Sequence, residues 1–565
     1  MWIPKSFRVG YRSSDWFQLV NTRHKQAPPI HKNYNEMNNK YKIPFLILIT
    51  LIWSAHLAQA QTTTVEIAAD MTPVQIDPMI YGQMLENVND SMIYGGIADL
   101  QGNVRHHLTP HLRELQIPVM RWPGGTVIHE YRWRNGVGPK PLRPTVKNHH
   151  WGGVENYQFG TDEFLQWCRE IGTEPYINFN MGNDAEFAGS LWEALEWIEY
   201  VNGDPSSNFG KLRAHHGHAT PYRVKYWCIG NENYGPWGKH TAEADTAYAT
   251  KLRQWASVIK QRHPELHLLG IGRSLQWNQT VLDSSGEFLD FLTQHYYVTS
   301  RVKDGEIQNP ISTLFAPAKM EAHLTMLGTQ LEAINKELGR TDRPIRLSVD
   351  EWNNRHSVNA GDKFTFTRHS SRRQFDVAVV SGMLNAFIRQ SPHVGMANYI
   401  FPVNAHGLIR TVGNDDAYQA PIYHVFKQYR EQMIGNKLNV TVAGPSIATD
   451  AIQPTIDGDS READFAVASL PFIDAAAVRH EDGNIYVSLV NRSPDQTHRV
   501  SISIPNGYRS ESVWVLEHEN INARNDEQNR TEIVPSTRSL KAKGGKITTE
   551  VLASGLQIVK LVRAR

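Results

Sequence analysis

The sequence predicts an α/β chain: a (β/α)8 barrel of the TIM type followed by a C-terminal antiparallel β-sandwich, which a strand ahead of the barrel joins. Three observations predict it. Short apolar runs alternate with amphipathic stretches from Ile80 to Asn404, the rhythm of a parallel barrel. After Gly435 the texture changes to period-two alternation with turn residues between the runs. The 565 residues are also too many for one ordinary domain, yet they fit a barrel of about 250 or more residues plus a second module.

The barrel strands are expected at Ile80–Glu86, Val119–Gly125, Pro175–Gly182, Val224–Glu232, Leu266–Arg273, Phe291–Tyr297, Ile345–Trp352 and Val394–Asn404. Such continuous apolar runs suit strands covered on both faces. Helices are expected between them at Thr161–Ile171, Asp184–Tyr200, Thr241–His263, Pro317–Leu338 and Phe375–Arg389. Thr161, Asp162 and Glu163 open the first of these well, and Gly172 stops it. Sandwich strands are expected within Val478–Val490, Arg499–Ile504, Ser512–Leu516, Thr531–Val534 and Ile547–Leu561. The alternating segment from Thr62 to Val74 precedes the barrel and has no role in it, so it belongs to the sandwich. The domains expected are therefore 61–76 as the N-terminal sandwich strand, 77–434 as the barrel and 435–565 as the sandwich.

The N-terminal region reads differently. Asn38 to Lys42 is short and basic, Ile43 to Trp53 is an apolar run, and Ala58-Gln-Ala60 is a small-x-small cleavage site. That is the form of a signal peptide over 37–60, with export to the periplasm or exterior after cleavage near Ala60. The apolar run is too short for stable membrane insertion. Residues 1–36 show no core pattern and read as an upstream extension ahead of a true start at Met37.

Composition excludes several classes. Lys plus Arg is 58 and Asp plus Glu is 57, so the net charge of +1 offers no nucleic acid a complementary field. The two cysteines, Cys168 and Cys228, cannot build a disulfide framework or a zinc site, and both read as small buried hydrophobes. The histidines of His215-His-Gly-His218 have no carboxylate or Cys at ligand spacing, so neither a metal nor another cofactor is expected. The Arg368-His-Ser-Ser-Arg-Arg373 cluster reads as a solvated loop. There are 15 Trp and 21 Tyr, and some of these rings can stack on sugar faces.

The chemistry is carried by two strand ends. In Tyr226-Trp-Cys-Ile-Gly-Asn-Glu-Asn-Tyr-Gly-Pro-Trp-Gly238 a buried run breaks at Gly230, and Asn231 and Glu232 are thrust out at the end of the fourth strand. A carboxylate so placed is poorly solvated, and its pKa is expected to rise, which suits a proton donor. Ile345-Arg-Leu-Ser-Val-Asp-Glu-Trp-Asn353 ends the seventh strand in a second acid, Glu351. Both ends lie on the face where barrel active sites form. Two facing glutamates equip a site for glycoside hydrolysis: one protonates the leaving oxygen, the other attacks the anomeric carbon or activates water. A metal site would need further ligands, and no His falls at ligand spacing with either Glu.

Together with Tyr81-Gly82 through Glu86, Arg121-Trp-Pro-Gly-Gly125, Gly230-Asn-Glu232, His295-Tyr-Tyr297 and Asp350-Glu-Trp352, the chain resembles the family 51 α-L-arabinofuranosidases of glycoside hydrolase clan A. The resemblance runs from Val74 to Arg565 and includes Ile485 to Ser493 in the sandwich. It implies a retaining double displacement that releases terminal α-L-arabinofuranosyl residues from plant-type polysaccharides or oligosaccharides. In it Glu232 would be the acid/base and Glu351 the nucleophile. Asn231 would bond the sugar 2-OH, Arg121 would orient Glu351 and keep it ionised, Tyr297 would bond near the nucleophile, and Glu86 would bind sugar hydroxyls. Trp352, beside the nucleophile, would line the sugar cleft, with Trp122, Trp151 and Trp237 as further candidates. The family often forms homo-oligomers. Two substrate-binding positions depart from its pattern: Thr126 stands where Asn is usual, and Phe401, ahead of Asn404, where Gln is usual. Sugar identity therefore stays open to a galactofuranosidase, a β-xylosidase or an endo-β-glucanase. A non-catalytic carbohydrate-binding protein would need neither both glutamates nor Asn231 and Arg121.

Overall fold

The computed structural model describes residues 62–68, 73–361, 363–456 and 459–564. The signal peptide and upstream extension expected over 1–60 lie outside the described residues. Eight parallel strands close into a barrel: β1 (Gly82–Met84), β2 (Val119–Trp122), β3 (Glu174–Phe179), β4 (Tyr226–Ile229), β5 (His267–Gly270), β6 (Phe291–Lys303), β7 (Arg346–Ala360) and β8 (Val394–Tyr399). Each pairs with the next, and β8 pairs back onto β1 through Asn398 opposite Gly82. Each of the eight expected runs overlaps one of these strands. β6 and β7 run well past the barrel rim side by side, from Phe291 opposite Arg346 to Val302 opposite Val358. They form a wall at the end where the acids emerge.

The helices that cover the barrel are α1 (Thr109–Glu114), α2 (Thr161–Ile171), α3 (Leu191–Asn202), α4 (Asp245–Arg262), α5 (Leu275–Ser285), α6 (Ala316–Glu337), α7 (Gln374–Arg389) and α8 (Pro421–Gln432). Local chemistry sets their ends. In α2 the Glu163 carboxylate reaches back to accept from the Gly160 N–H at 2.9 Å, and Gly172 ends the helix at φ +78°. α3 starts at Leu191 rather than near Asp184 because Ser190 takes the N-cap position and accepts from the Glu193 N–H. An aromatic cluster fills the layer between β2–β4 and these helices: Trp122 stacks on Phe164, Trp227 on Phe179, and Trp197 lies between them. All five rings are buried, and each large ring removes some 150–250 Å2 from water.

The strand Thr63–Ala68 pairs antiparallel with Gly435–Ala443 and parallel with His498–Ser503, so the chain's described start is built into the sandwich. The expected strand Val478–Val490 is two strands, Ile473–Arg479 and Ile485–Asn491, turned at Asp482-Gly483. Ile547–Leu561 likewise divides into Lys546–Val551 and Leu556–Arg563. Thr531–Val534 is not a strand: Asn525 holds Ile533 through both its amide and its carbonyl in a loop, and the pairing segment begins at Ser536. A separate core that includes Val65, Val487, Leu489, Val500, Ile502, Val559 and Leu561 lies between the sheets.

Helix α7 joins the two domains and is almost wholly buried. Gln374 donates to the Ser554 carbonyl at 2.8 Å, Asn385 to Asp474 at 2.8 Å, and Arg389 pairs with Asp474 at 3.1 Å. The helix that follows the catalytic end of β7 is thus anchored in both cores. Among the described residues no helix is long and apolar enough to cross a membrane.

Candidate active site

The backbone first decides which side chains reach the barrel mouth. At the end of β4, Gly230 (φ +96°) lets the chain turn back on itself: a Cβ there would meet the Asn233 side-chain oxygen at 2.3 Å. Glu232 follows at φ +42°, a left-handed conformation that a non-glycine residue keeps only where its surroundings hold it. At β7 the register slips. Between Thr293 opposite Ser348 and His295 opposite Glu351, β6 advances two residues while β7 advances three, and β8 records the same excess between Ala397 and Tyr399. This bulge turns consecutive acids, Asp350 and Glu351, into the barrel where strict alternation would admit one.

Arg121, at the end of β2, lies fully buried beneath these acids. Its guanidinium holds Glu351 Oε1 at 2.7 Å, Asp350 Oδ2 at 3.2 Å and Asn231 Oδ1 at 2.6 Å. Tyr297 donates its hydroxyl to Glu351 Oε2. The Pro-Gly-Gly segment after Arg121 is dictated by clearance. A Cβ on Gly125 would meet Glu351 Oε1 at 2.3 Å, and one on Gly124 would meet the Glu86 side chain at 2.4 Å. Glu86 Oε1 accepts from the Val127 N–H and the Trp151 indole, both at 3.0 Å. Burial, and then the Glu351 charge, raise its pKa.

His295 sits between the acids. Its Nδ1 is 2.7 Å from Glu232 Oε1 and 3.4 Å from Glu351 Oε2, and its Nε2 is 3.2 Å from Asp350 Oδ1. One oxygen of Glu232 and one of Glu351 lie within 4.8 Å of each other. Burial alone would lower the imidazole pKa, but Glu351 and Glu232 outweigh it and raise it to about 10. The sequence-based expectation for Glu232 is corrected here. Burial does push this carboxyl up, yet the His295 charge and hydrogen bond, with the Tyr234 hydroxyl at 3.2 Å, leave it below its ordinary value. In the free protein the shared proton therefore resides on His295.

The absence of a His at ligand spacing is corrected as well. Sequence spacing could not see that the barrel brings His295 to both glutamates, and the three side chains offer metal-ligating atoms within 4.8 Å of one another. The Nδ1 nitrogen that a cation would need is already engaged with Glu232 at 2.7 Å.

The cavity over these residues encloses about 500 Å3. Glu86, Thr126, Glu232, Tyr297, Glu351 and Phe401 line it, while Arg121 and Asn231 lie buried directly behind the acids. Trp352 does not line it. As the strand neighbour of Glu351 it faces the opposite side, fully buried against Phe387, Tyr399 and Phe426. Trp122 is likewise core, whereas Trp151 and Trp237 reach the cavity wall. The Arg368–Arg373 segment is not a solvated loop: Arg372 and Arg373 are buried, and Arg368 stacks 4.2 Å over Trp151 and pairs with Asp90. Cys168 and Cys228 are both buried and free.

Comparison with known proteins places this site. Residues 111–310 match the α-L-arabinofuranosidase 1 domain model, and residues 350–554 match the α-L-arabinofuranosidase C-terminal domain model. A probable α-L-arabinofuranosidase C from Aspergillus niger is 32% identical over 474 residues, covering 80% of this chain and 88% of that one. The chain belongs to the family 51 α-L-arabinofuranosidases. The structure of the Thermotoga maritima α-L-arabinofuranosidase in complex with arabinose superposes with a TM-score of 0.76 at 26% identity, covering 89% of this chain and all of that one. The thermostable GH51 α-L-arabinofuranosidase of Thermotoga petrophila gives 0.73 at 27%, covering 88% and 99%.

Within this family member, sequence reasoning found both acids but missed Asp350 and His295 as parts of the site. His295 stood inside a quoted motif, and its placement opposite Glu351 follows only from the strand pairing. The first family model contains Glu232 and the second begins at Asp350, so the site is assembled from both matched segments.

Proposed function

We propose that the chain is a retaining α-L-arabinofuranosidase that releases terminal arabinofuranosyl residues from plant-type oligo- and polysaccharides. The observation that carries this is that one oxygen of Glu232 and one of Glu351 lie within 4.8 Å of each other, both beside His295, with Arg121 beneath. Retaining sites hold their carboxyls about 5–5.5 Å apart, while inverting sites leave roughly 6.5–9.5 Å for a water.

In the first step Glu351 attacks the anomeric carbon as the bond to the leaving oxygen breaks. Arg121 on one carboxylate oxygen and Tyr297 on the other fix its orientation. Glu232 delivers a proton to the leaving oxygen, and that proton reaches it along the 2.7 Å hydrogen bond from His295. In the second step Glu232 takes a proton from water, the water oxygen attacks the anomeric carbon, and the ester to Glu351 is released. Thr126 and Phe401 supply fewer polar contacts than the usual family residues, so the sugar is held permissively, by Glu86, Asn231 and Tyr297 above all.

The test is a panel of aryl glycosides: α-L-arabinofuranoside, β-D-galactofuranoside, β-D-xyloside and β-D-glucoside. The arabinofuranoside should lead. A pyranoside that led clearly would overturn the assignment.

Export belongs to the same proposal and is supported by the basic segment, the apolar run and Ala58-Gln-Ala60. N-terminal sequencing of the protein recovered outside the cytoplasm should begin near Gln61. A cytoplasmic protein that retains 37–60 would contradict export.

A further inference from the structure

Glu232 needs something to hold it in its left-handed backbone, and the residues that do so lie outside the cavity. His129, from the turn after the Pro-Gly-Gly motif, and His240, from the loop after β4, stack face to face with ring centroids 4.1 Å apart and planes 13° apart. Both are buried. His129 Nε2 lies 2.8 Å from the Asn231 carbonyl, and His240 Nε2 lies 3.0 Å from the Asn233 carbonyl. The two rings thus grip the carbonyls of the residues on either side of Glu232. We infer that the His129–His240 stack is a clamp that positions Glu232 for proton transfer, making both histidines positioning residues of the reaction. The inference rests on the reading of Glu232 as the acid/base.

The chemistry of the pair agrees with that geometry. A carbonyl accepts only from an N–H, so each ring carries its proton on Nε2. Among the described residues neither Nδ1 has a hydrogen-bond partner, as expected of neutral rings whose other nitrogen has nothing to receive. Burial and the neighbouring His240 push His129 down to about 3, and burial lowers His240 too, which favours neutral rings in the stack. The remaining bonds complete the grip. Asn233 Oδ1 accepts from the Asn231 N–H at 3.1 Å, the Gly235 N–H donates to the Glu232 carbonyl at 2.8 Å, and Arg121 holds the Asn231 side chain. Apart from Glu232 itself, none of these residues lines the cavity, and only Asn231 among them is assigned a sugar contact. Their effect is on where the Glu232 carboxyl sits.

The test uses His129→Phe and His240→Phe, which keep a ring in the stack but remove the donor, beside His129→Gln and His240→Gln, which return an N–H near Nε2. Each is assayed on a methyl and on a dinitrophenyl α-L-arabinofuranoside. A displaced general acid should cost the methyl glycoside on the order of tenfold to a hundredfold in kcat/KM, carried by kcat. The dinitrophenyl glycoside, whose leaving group needs no proton, should change by less than about threefold, and Gln should restore most of the loss. If a Phe variant does not fold, His240→Asn gives the same readout, because its shorter amide cannot reach the Asn233 carbonyl. Equal losses on both substrates, or no loss on either in a folded variant, would overturn the inference. A Glu232→Ala protein without leaving-group dependence would instead remove the acid/base assignment beneath it.

Discussion

Replacing His295 with Gln should move the alkaline limit of activity. In the wild type one proton is shared by Glu232 and His295 and rests on the imidazole, whose pKa is raised to about 10. Gln can still donate a hydrogen bond to Glu232 but brings no charge and no proton. The lost cation stood 2.7 Å from one Glu232 oxygen. Two unit charges about 4 Å apart at an effective dielectric constant of about 20 interact by about 4 kcal/mol, or about 3 pKa units. The Glu232 pKa should therefore rise in the variant, and Glu232 must then hold the proton alone. The assay is kcat/KM against pH on an arabino-oligosaccharide, whose leaving group needs protonation. Wild type should keep activity until the pair loses its proton near about 10, a macroscopic value belonging to both groups. The variant should lose it at least about 2 units lower, with a much smaller change on an activated aryl substrate. An alkaline limb in the same place for both proteins would refute the shared-proton reasoning.

Other perturbations follow from the same geometry. Glu351→Ala should abolish turnover on every substrate, whereas Glu232→Ala should spare activated aryl glycosides and be rescued by azide; a Glu232 variant that azide does not rescue and that loses aryl and natural substrates alike would contradict the division of roles. Arg121→Met removes the buried guanidinium that pairs with both Asp350 and Glu351 and leaves His295 as their remaining cation, and denaturant unfolding should register a loss of about 3 kcal/mol or more; an unchanged midpoint would contradict the buried network. Because the folded-state pKa of His295 lies above its ordinary 6.5, its contribution to stability is complete below pH 6.5 and lost as pH rises through about 10. Alkaline melting temperatures should fall for wild type and stay flatter for His295→Gln. Phe401→Gln should leave arabinofuranoside turnover unchanged or improve it, and a loss beyond about tenfold would show that the apolar wall is needed.

What was legible in the sequence follows from what short-range patterns encode. Buried parallel strands write themselves as apolar runs, so all eight barrel strands and the ends carrying Glu232 and Glu351 could be read. The parts that could not be read depend on pairing between distant strands. The bulge at β7 brings Asp350 inward beside Glu351, and the β6 register puts His295 opposite both acids. Neither fact leaves a mark in local alternation. The Glu232 pKa was misjudged for the same reason: burial is visible in an apolar run, whereas the counter-charge comes from 63 residues away. Trp352 was placed in the cleft by nearness along the chain, although adjacent residues on a strand face opposite sides. In the sandwich, Thr531–Val534 has a strand's composition, but the Asn525 side chain takes the N–H and the carbonyl of Ile533 that a partner strand would use.

In the proposed mechanism Glu351 attacks the anomeric carbon, with an oxygen of Glu232 within 4.8 Å of one of its own. Proton NMR of the sugar released in the first moments of hydrolysis of an aryl α-L-arabinofuranoside tests this most directly. Double displacement predicts that α-L-arabinofuranose appears first and only later equilibrates with the β anomer. First appearance of the β anomer would mean a single displacement by water, and would contradict the assignment of Glu351 as the nucleophile.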